Sequence, residues 1–373
     1  MDSAKLLSLP IEQKIGQLLF IGLPSTQIDP NARRLLHEIS PGGVCLFARN
    51  IHEAAQTRRL VETIHENLPV VPLIGIDQEG GLVDRLRRVI TPMPAANIIH
   101  TAEGAKIFAR ITAEILRMLG FNINFAPVVD VIDQDRARFS NGLYSRSFAQ
   151  SAEETFVLAK AYLDELQKNG CLGCLKHFPG LGAAESDSHE NLPAVHLSEN
   201  ELNEIDLYPY RNFLQTGAIH AVMIAHATYP MNDLQETGQN GKSLPSSLSY
   251  NFVTRLLREK LEFNGLTLTD DLEMGAIVKN FGIGEACKMA IAAGVDMLLI
   301  CANPDSVREG FAALMQAVED GEISEDRINQ SLRRIAAAKH IINEPLPFDP
   351  ARLQELSAQI GELDKQVRQN YGG

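Results

Sequence analysis

Ionisable side chains stand at or directly after the ends of several short apolar runs of the sequence. They are Asp77, Lys176, His177, His226, Asp270 and Asp271. If these runs are parallel strands of one sheet, their carboxyl ends meet on one face, which is where enzymes of that architecture place their active sites. A helix cap or a buried ion pair would explain any one of these residues, but not the whole set. The spacing therefore predicts a single site supplied by four strands.

Carboxylates dominate this set, and the Gly-x-Ser-x-Gly motif of serine hydrolases is absent from the sequence. Such a set suits cleavage of a glycosidic bond, in which one carboxylate attacks or stabilises an oxocarbenium-like centre while a second group protonates the leaving oxygen. Lys, Arg and Asp side chains can hold sugar hydroxyls through charge-assisted hydrogen bonds. The residue types therefore favour a glycoside hydrolase.

A second candidate group is the pair Asp187 and His189, which stand two residues apart in a glycine-containing segment, 176–189. The carboxylate can accept a hydrogen bond from one imidazole nitrogen, which fixes the tautomer and raises the basicity of the other nitrogen. An Asp-x-His pair alone is weak evidence, because any exposed loop can contain one. The pair is a candidate proton-transfer device.

Eight apolar runs alternate with segments of helical periodicity, and they must position these residues. The runs are 16–23, 43–47, 70–76, 123–129, 171–178, 221–225, 266–269 and 296–301, and the clearest helical segments are 102–119, 152–168, 199–215, 248–261 and 325–342. Eight such units favour an α/β fold of the (β/α)8 TIM-barrel type over an open doubly wound sheet. We expect one catalytic domain over residues 1–344 and a helical C-terminal tail over residues 345–373, beyond the break made by Pro345 and Pro347.

Composition and charge exclude some classes of partner. The net charge is −13, and no basic stripe appears that would displace counterions from nucleic acid. No apolar stretch approaches the roughly 20 residues that span a bilayer, and the first residues do not look like an export signal. The five cysteines, three of them inside apolar runs, are best interpreted as buried thiols of a cytoplasmic protein.

Four segments resemble glycoside hydrolase family 3. They are Ile-Asp-Gln-Glu-Gly-Gly at 76–81, Lys-His-Phe-Pro-Gly at 176–180, Asp-Ser-His at 187–189 and Leu-Thr-Asp-Asp-Leu-Glu-Met at 268–274. The resemblance runs from about residue 15 to residue 339, and it is greatest to the single-domain bacterial β-N-acetylhexosaminidases of peptidoglycan recycling. The resemblance does not extend to the C-terminal tail.

The resemblance implies a retaining β-N-acetylglucosaminidase that needs no cofactor and no metal. Matching positions make Asp270 the nucleophile that forms a glycosyl-enzyme, and His189 the acid/base, assisted by Asp187. The residues implied to hold the N-acetylglucosamine ring are Asp77, Arg85, Arg146, Lys176 and His177. We expect Asp271 to orient its strand end, and His226 either to support the site by a hydrogen bond or to contact the substrate. The implied partners are N-acetylglucosaminides, muropeptides among them, with no nucleic acid or membrane, and the protein would be a monomer or homodimer.

Three residues depart from the family pattern: Leu82 stands where the family usually has Arg, Leu181 where it has His, and Ala183 where it has Asp. Each lost charge-assisted hydrogen bond is worth about 1.5–3 kcal/mol, so substrate range or turnover can differ from those of relatives. Three alternatives stay open. They are a sugar phosphorylase of the same family, a metallohydrolase using His177, His189 and His226, and a non-catalytic N-acetylglucosamine-binding homologue.

Overall fold

The computed structural model describes residues 3–139, 142–185, 191–217, 219–238 and 241–371. Its centre is a sheet of parallel strands, and each of the eight apolar runs contributes to it. In chain order the strands are β1 (Leu19–Gly22), β2 (Gly43–Cys45), β3 (Leu73–Ile76), β4 (Gln78–Gly80), β5 (Val83–Asp84), β6 (Ile123–Asn124), β7 (Leu172–Gly173), β8 (Leu175–Phe178), β9 (Ala221–Ile224), β10 (Leu266–Asp271) and β11 (Met297–Ile300). All except the β4–β5 hairpin belong to the central sheet, and nearly all of their residues are buried, which explains the uninterrupted apolar runs.

The sheet closes on itself into a barrel. Its strand order is β7-β6-β3-β2-β1-β11-β10-β9-β8, so β7 and β8 occupy its two ends. Only Cys174 separates these two strands along the chain, and they are the two halves of one bent strand. The first half pairs with β6 and the second with β9, each in parallel. Eight strand positions therefore form a closed ring, which confirms the expected (β/α)8 barrel.

The helices surround this ring. They are α1 (Ser3–Leu7), α2 (Ile11–Gln17), α3 (Pro30–Ile39), α4 (Ala54–Glu66), α5 (Ala102–Leu119), α6 (Ala152–Lys168), α7 (Glu199–Glu201), α8 (Leu207–Thr216), α9 (Gly275–Val278), α10 (Ile283–Ala293), α11 (Pro304–Glu319), α12 (Glu325–Ile341) and α13 (Pro350–Tyr371). Two further segments, Leu202–Asp206 and Asn251–Lys260, are π-helical. Helix α5 begins at a Thr101 side-chain cap and ends at Gly120, whose φ of 96° suits glycine.

The β4–β5 hairpin folds back directly after β3. Gly80 and Gly81 have φ values of 91° and 56°, and a Cβ on Gly80 would lie 2.1 Å from the carbonyl oxygen of Pro94. The turn therefore requires glycine. It places Glu79, which is buried, just beyond the carboxyl end of β3.

The C-terminal helix α13 packs against α5. Its buried side chains are Leu353, Leu356, Ile360, Leu363 and Val367. Arg352 donates two hydrogen bonds to the Glu114 carboxylate of α5, at 2.6 and 2.9 Å. The helical tail expected from the sequence thus lies on the barrel surface.

No helix within the described ranges is long and apolar enough to cross a membrane. All five cysteines are buried and none forms a disulfide.

Candidate active site

The ammonium of Lys176 lies between two carboxylates at the end of the barrel strands. Its Nζ is 2.7 Å from Asp77 Oδ1 and 2.5 Å from Glu79 Oε1. The Arg85 guanidinium approaches the other oxygen of Asp77 at 3.7 Å. Three of the residues expected to bind the sugar are therefore together, and Glu79 joins them.

Arg146, in the connection after β6, also contacts the Glu79 carboxylate. Its Nε and Nη2 donate to Glu79 at 2.8 and 2.9 Å, a two-point ion pair. Burial alone would raise the pKa of Glu79, but the charges and hydrogen bonds of Arg146 and Lys176 hold that pKa well below its usual range. Glu79 is therefore ionised and fixes both cations. Arg146 Nη2 also lies 3.5 Å from His177 Nε2.

His177 is oriented by Asp130, which follows β6. The ring Nδ1 lies 2.7 Å from Asp130 Oδ2, and Asp130 Oδ1 accepts from the backbone N–H of Leu181 at 2.7 Å. A carboxylate only accepts, so Nδ1 carries a proton. One buried acid thus fixes both the imidazole and the start of the next loop.

Asp270 lies near the end of β10, with a partly exposed side chain. Its Oδ1 accepts from the backbone N–H of Asp271 at 2.8 Å, and no other hydrogen bond to this carboxylate comes from the described residues. Burial would raise its pKa, but the fields of His177, His226 and Lys176, with the Asp271 N–H, lower it below the ordinary value. The carboxylate is therefore ionised at neutral pH.

Asp271 turns away from this group. Its Oδ1 accepts from the backbone N–H groups of Glu273 and Cys301 at 3.0 and 3.3 Å. Burial raises the pKa of Asp271 to about 7, with the neighbouring carboxylates adding to the effect. These contacts tie the end of β10 to the end of β11, as expected from the sequence.

His226, after β9, uses both ring nitrogens. Nδ1 lies 2.7 Å from Ser247 Oγ, and Nε2 lies 3.2 Å from the carbonyl oxygen of Asp271. Burial lowers the pKa of His226, so the imidazole is neutral at pH 7. Among the described residues no group of three or more His, Cys, Asp or Glu side chains is placed to hold a metal ion.

The profile of the glycosyl hydrolase family 3 N-terminal domain matches residues 10–338. The chain belongs to this family. It is 33% identical over 307 residues to a β-hexosaminidase of Tolumonas auensis, covering 81% of this chain and 86% of that protein. A β-hexosaminidase of Pseudomonas aeruginosa is 34% identical over 306 residues, covering 80% and 86%.

A solved structure of similar fold is the family 3 β-N-acetylglucosaminidase of Paenibacillus sp. str. FPU-7. The TM-score is 0.86 and the sequence identity 33%, over 96% of this chain and 69% of that one. Together these similarities make the chain a glycoside hydrolase on the barrel of its family.

The loop after β8 is anchored at its start in this family 3 barrel. Gly180 has a φ of 136°, and a Cβ there would lie 2.4 Å from the Cβ of Asp206, which itself is paired with Arg136 at 2.9 Å. Tyr229 Oη donates to the Gly180 carbonyl at 2.8 Å. The predicted acid/base pair further along this loop, Asp187 and His189, lies outside the described residues.

The three departures from the family 3 pattern have different surroundings. Leu181 and Ala183 are buried in the apolar core, whereas Leu82, at the tip of the β4–β5 hairpin, is 68% exposed. Apolar packing thus replaces polar side chains at the start of the loop.

Three supporting residues were not assigned from the sequence: Glu79, Asp130 and Ser247. Two of them had a signal: Glu79 stands inside a highly specific family segment, and Asp130 directly follows the apolar run 123–129.

Proposed function

We propose that this glycoside hydrolase cleaves terminal, non-reducing β-linked N-acetylglucosamine with retention of configuration, through a covalent intermediate on Asp270. The observation that carries the proposal is the state of this carboxylate. It is ionised and held through Oδ1 by a backbone N–H, and its Oδ2 accepts no hydrogen bond from the described residues. Lys176, His177 and His226 lie near it. A nucleophile needs an unprotonated, oriented oxygen, and these contacts supply both.

In the first step Oδ2 of Asp270 forms a bond to the anomeric carbon while the bond from that carbon to the leaving oxygen breaks. The leaving oxygen takes a proton from His189, which Asp187 assists. In the second step water attacks the anomeric carbon, gives a proton back to His189, and releases the Asp270 carboxylate. Two inversions at one carbon give net retention.

Five residues are proposed to hold the sugar: Asp77, Arg85, Arg146, Lys176 and His177. Their fixed positions support this role, because Glu79 locks Lys176 and Arg146 and Asp130 locks His177. Preorganised polar groups hold hydroxyls without the entropic cost of ordering free side chains. The choice of N-acetylglucosamine as the sugar is supported by the names of the relatives. Peptidoglycan fragments are the natural substrates we propose.

Hydrolysis of 4-nitrophenyl glycosides tests the proposal. We expect the β-N-acetylglucosaminide to be cleaved in preference to the β-glucoside, and NMR to show the β-anomer as the first product. Release of the α-anomer would contradict a covalent intermediate. Sugar 1-phosphate formed in phosphate buffer would identify a phosphorylase instead. Calorimetric binding of N-acetylglucosamine without turnover would identify a non-catalytic homologue.

A further inference from the structure

His226 is held in one tautomer by its two neighbours. Nε2 lies 3.2 Å from the carbonyl oxygen of Asp271, and a carbonyl only accepts, so Nε2 carries the proton. Nδ1 then presents a lone pair, and the hydroxyl of Ser247, 2.7 Å away, donates to it. Both side chains are buried, so water does not compete for these bonds.

The Asp271 backbone links this pair to the candidate nucleophile. Its carbonyl accepts from His226, and its N–H donates to Asp270 Oδ1 at 2.8 Å. The residue is thus held on one side by the imidazole, while on the other side it holds the carboxylate. The two groups belong to adjacent peptide units joined at the Asp271 Cα, so a displacement of this Cα would move the N–H that holds Asp270 Oδ1.

We infer that Ser247 and His226 are positioning residues for the Asp270 carboxylate. The inference rests on the proposed function, and it assigns a role in the nucleophilic step to the connection after β9. Ser247 is 21 residues after His226 in the sequence. Its backbone N–H donates to the Ala225 carbonyl at 3.2 Å, and this bond holds Ser247 next to the end of β9. The Asp271 carbonyl selects the tautomer, and the Ser247 hydroxyl holds the ring at its other nitrogen. The imidazole fixed in this way holds the Asp271 backbone, whose N–H in turn orients the carboxylate.

The adjacent Ser246 provides a matched control. It is equally buried, and its hydroxyl donates to the Ala225 carbonyl at 2.7 Å, not to His226. Replacing either serine by alanine removes a buried hydrogen-bonding hydroxyl from the same turn. Only Ser247→Ala removes a hydrogen bond to the His226 imidazole. A difference in kcat between the two variants therefore separates positioning of Asp270 from stabilisation of the turn.

We expect Ser247→Ala to lower kcat by roughly ten- to a hundredfold, the size of a small misplacement of a reacting group, with KM within about twofold. Ser246→Ala should keep kcat within about twofold, whatever its effect on Tm. Equal losses of kcat in the two variants would mean that the bonds only stabilise the turn, and an unchanged kcat in Ser247→Ala would equally overturn the inference.

The tautomer itself is read by NMR of the protein labelled with 15N-histidine, independently of turnover. The signal of His226, assigned by its loss in His226→Gln, should show a protonated Nε2 and an unprotonated Nδ1 in the wild type. In Ser247→Ala the Nδ1 signal should shift, because this nitrogen has lost its hydrogen-bond donor. A protonated Nδ1 in the wild type overturns the inference. A wild type with this tautomer that cleaves no glycoside would instead overturn the proposed function.

Discussion

Glu79 and Arg146 form a buried two-point ion pair, with N–O distances of 2.8 and 2.9 Å. The same carboxylate lies 2.5 Å from Lys176 Nζ, so one acid contacts two cations. Its side chain is only 3% exposed. The positions of two predicted sugar-binding residues therefore depend on one side chain that need not touch the sugar.

Glu79→Gln should damage both binding and stability. The amide cannot accept from both cations with a full charge, which leaves two positive groups facing each other in a buried site. Breaking such a pair costs about 3–5 kcal/mol. We expect a lower Tm in thermal unfolding and a rise in KM of about tenfold or more in steady-state kinetics. The exposed Glu153→Gln on α6 is the control. A normal KM in Glu79→Gln would show that Lys176 and Arg146 do not depend on this carboxylate.

Asp270→Asn and Asp271→Asn should differ sharply although the residues are adjacent. The first removes the proposed nucleophile, so kcat should fall by several orders of magnitude, roughly 10⁴-fold or more. The second keeps an oxygen that accepts from Glu273 and Cys301, so we expect a loss of less than about tenfold. The kcat of each variant is measured by steady-state hydrolysis of the aryl glycoside. Equal losses in the two variants would remove Asp270 from its special role.

Much of the barrel is predictable because parallel strands buried on both faces leave uninterrupted apolar runs. The strand positions and the residues at their carboxyl ends follow from that pattern. The bend between β7 and β8 is harder to predict. The sequence shows one apolar run there, but not that its two halves pair with different strands, β6 and β9. The same holds for Asn251–Lys260, where the amphipathic pattern predicts a helix but not its wider π turns.

The supporting contacts of the site could not be predicted, because they join positions far apart in sequence. Arg146 and Glu79 are separated by 67 residues, and His177 and Asp130 by 47. Nothing local marks Glu79 as the partner of two cations, since a glutamate beside a glycine turn is usually exposed. Its burial depends on the β4–β5 hairpin folding back over the barrel, and this is a tertiary relationship.

The roles predicted for Asp187 and His189 are tested by the leaving group. Without a proton donor, a poor leaving group is expelled slowly, while a good one leaves as an anion. His189→Ala should therefore slow cleavage of the 4-nitrophenyl glycoside much more than that of the 2,4-dinitrophenyl glycoside. Added azide should restore the second step and give the β-glycosyl azide. Equal losses on both aryl glycosides, without azide rescue, would assign the acid/base role elsewhere. Asp187→Asn should also slow cleavage of the 4-nitrophenyl glycoside more than that of the 2,4-dinitrophenyl glycoside, but by a smaller factor than His189→Ala.

Lys339 makes the stability of the fold depend on pH in the alkaline range. Its side chain is buried, and Nζ donates to Gln17 Oε1 at 2.9 Å without an acidic partner among the described residues. Burial lowers its pKa from 10.5 to about 7. A lowered pKa favours the neutral amine in the folded state. The contribution of this group to the free energy of unfolding is therefore fully present above pH 10.5 and is lost as the pH falls towards 7.

The wild type should therefore gain about 1.4 kcal/mol in free energy of unfolding per pH unit from this group across that range. Lys339→Met removes the titration, so its stability relative to the wild type should be about 2 kcal/mol more favourable at pH 7.5 than at pH 9. Urea unfolding at the two pH values measures the difference. The exposed Lys365→Met should show no such change. A Lys339→Met curve parallel to the wild type would mean that the buried amine stays charged, and that Gln17 alone compensates it.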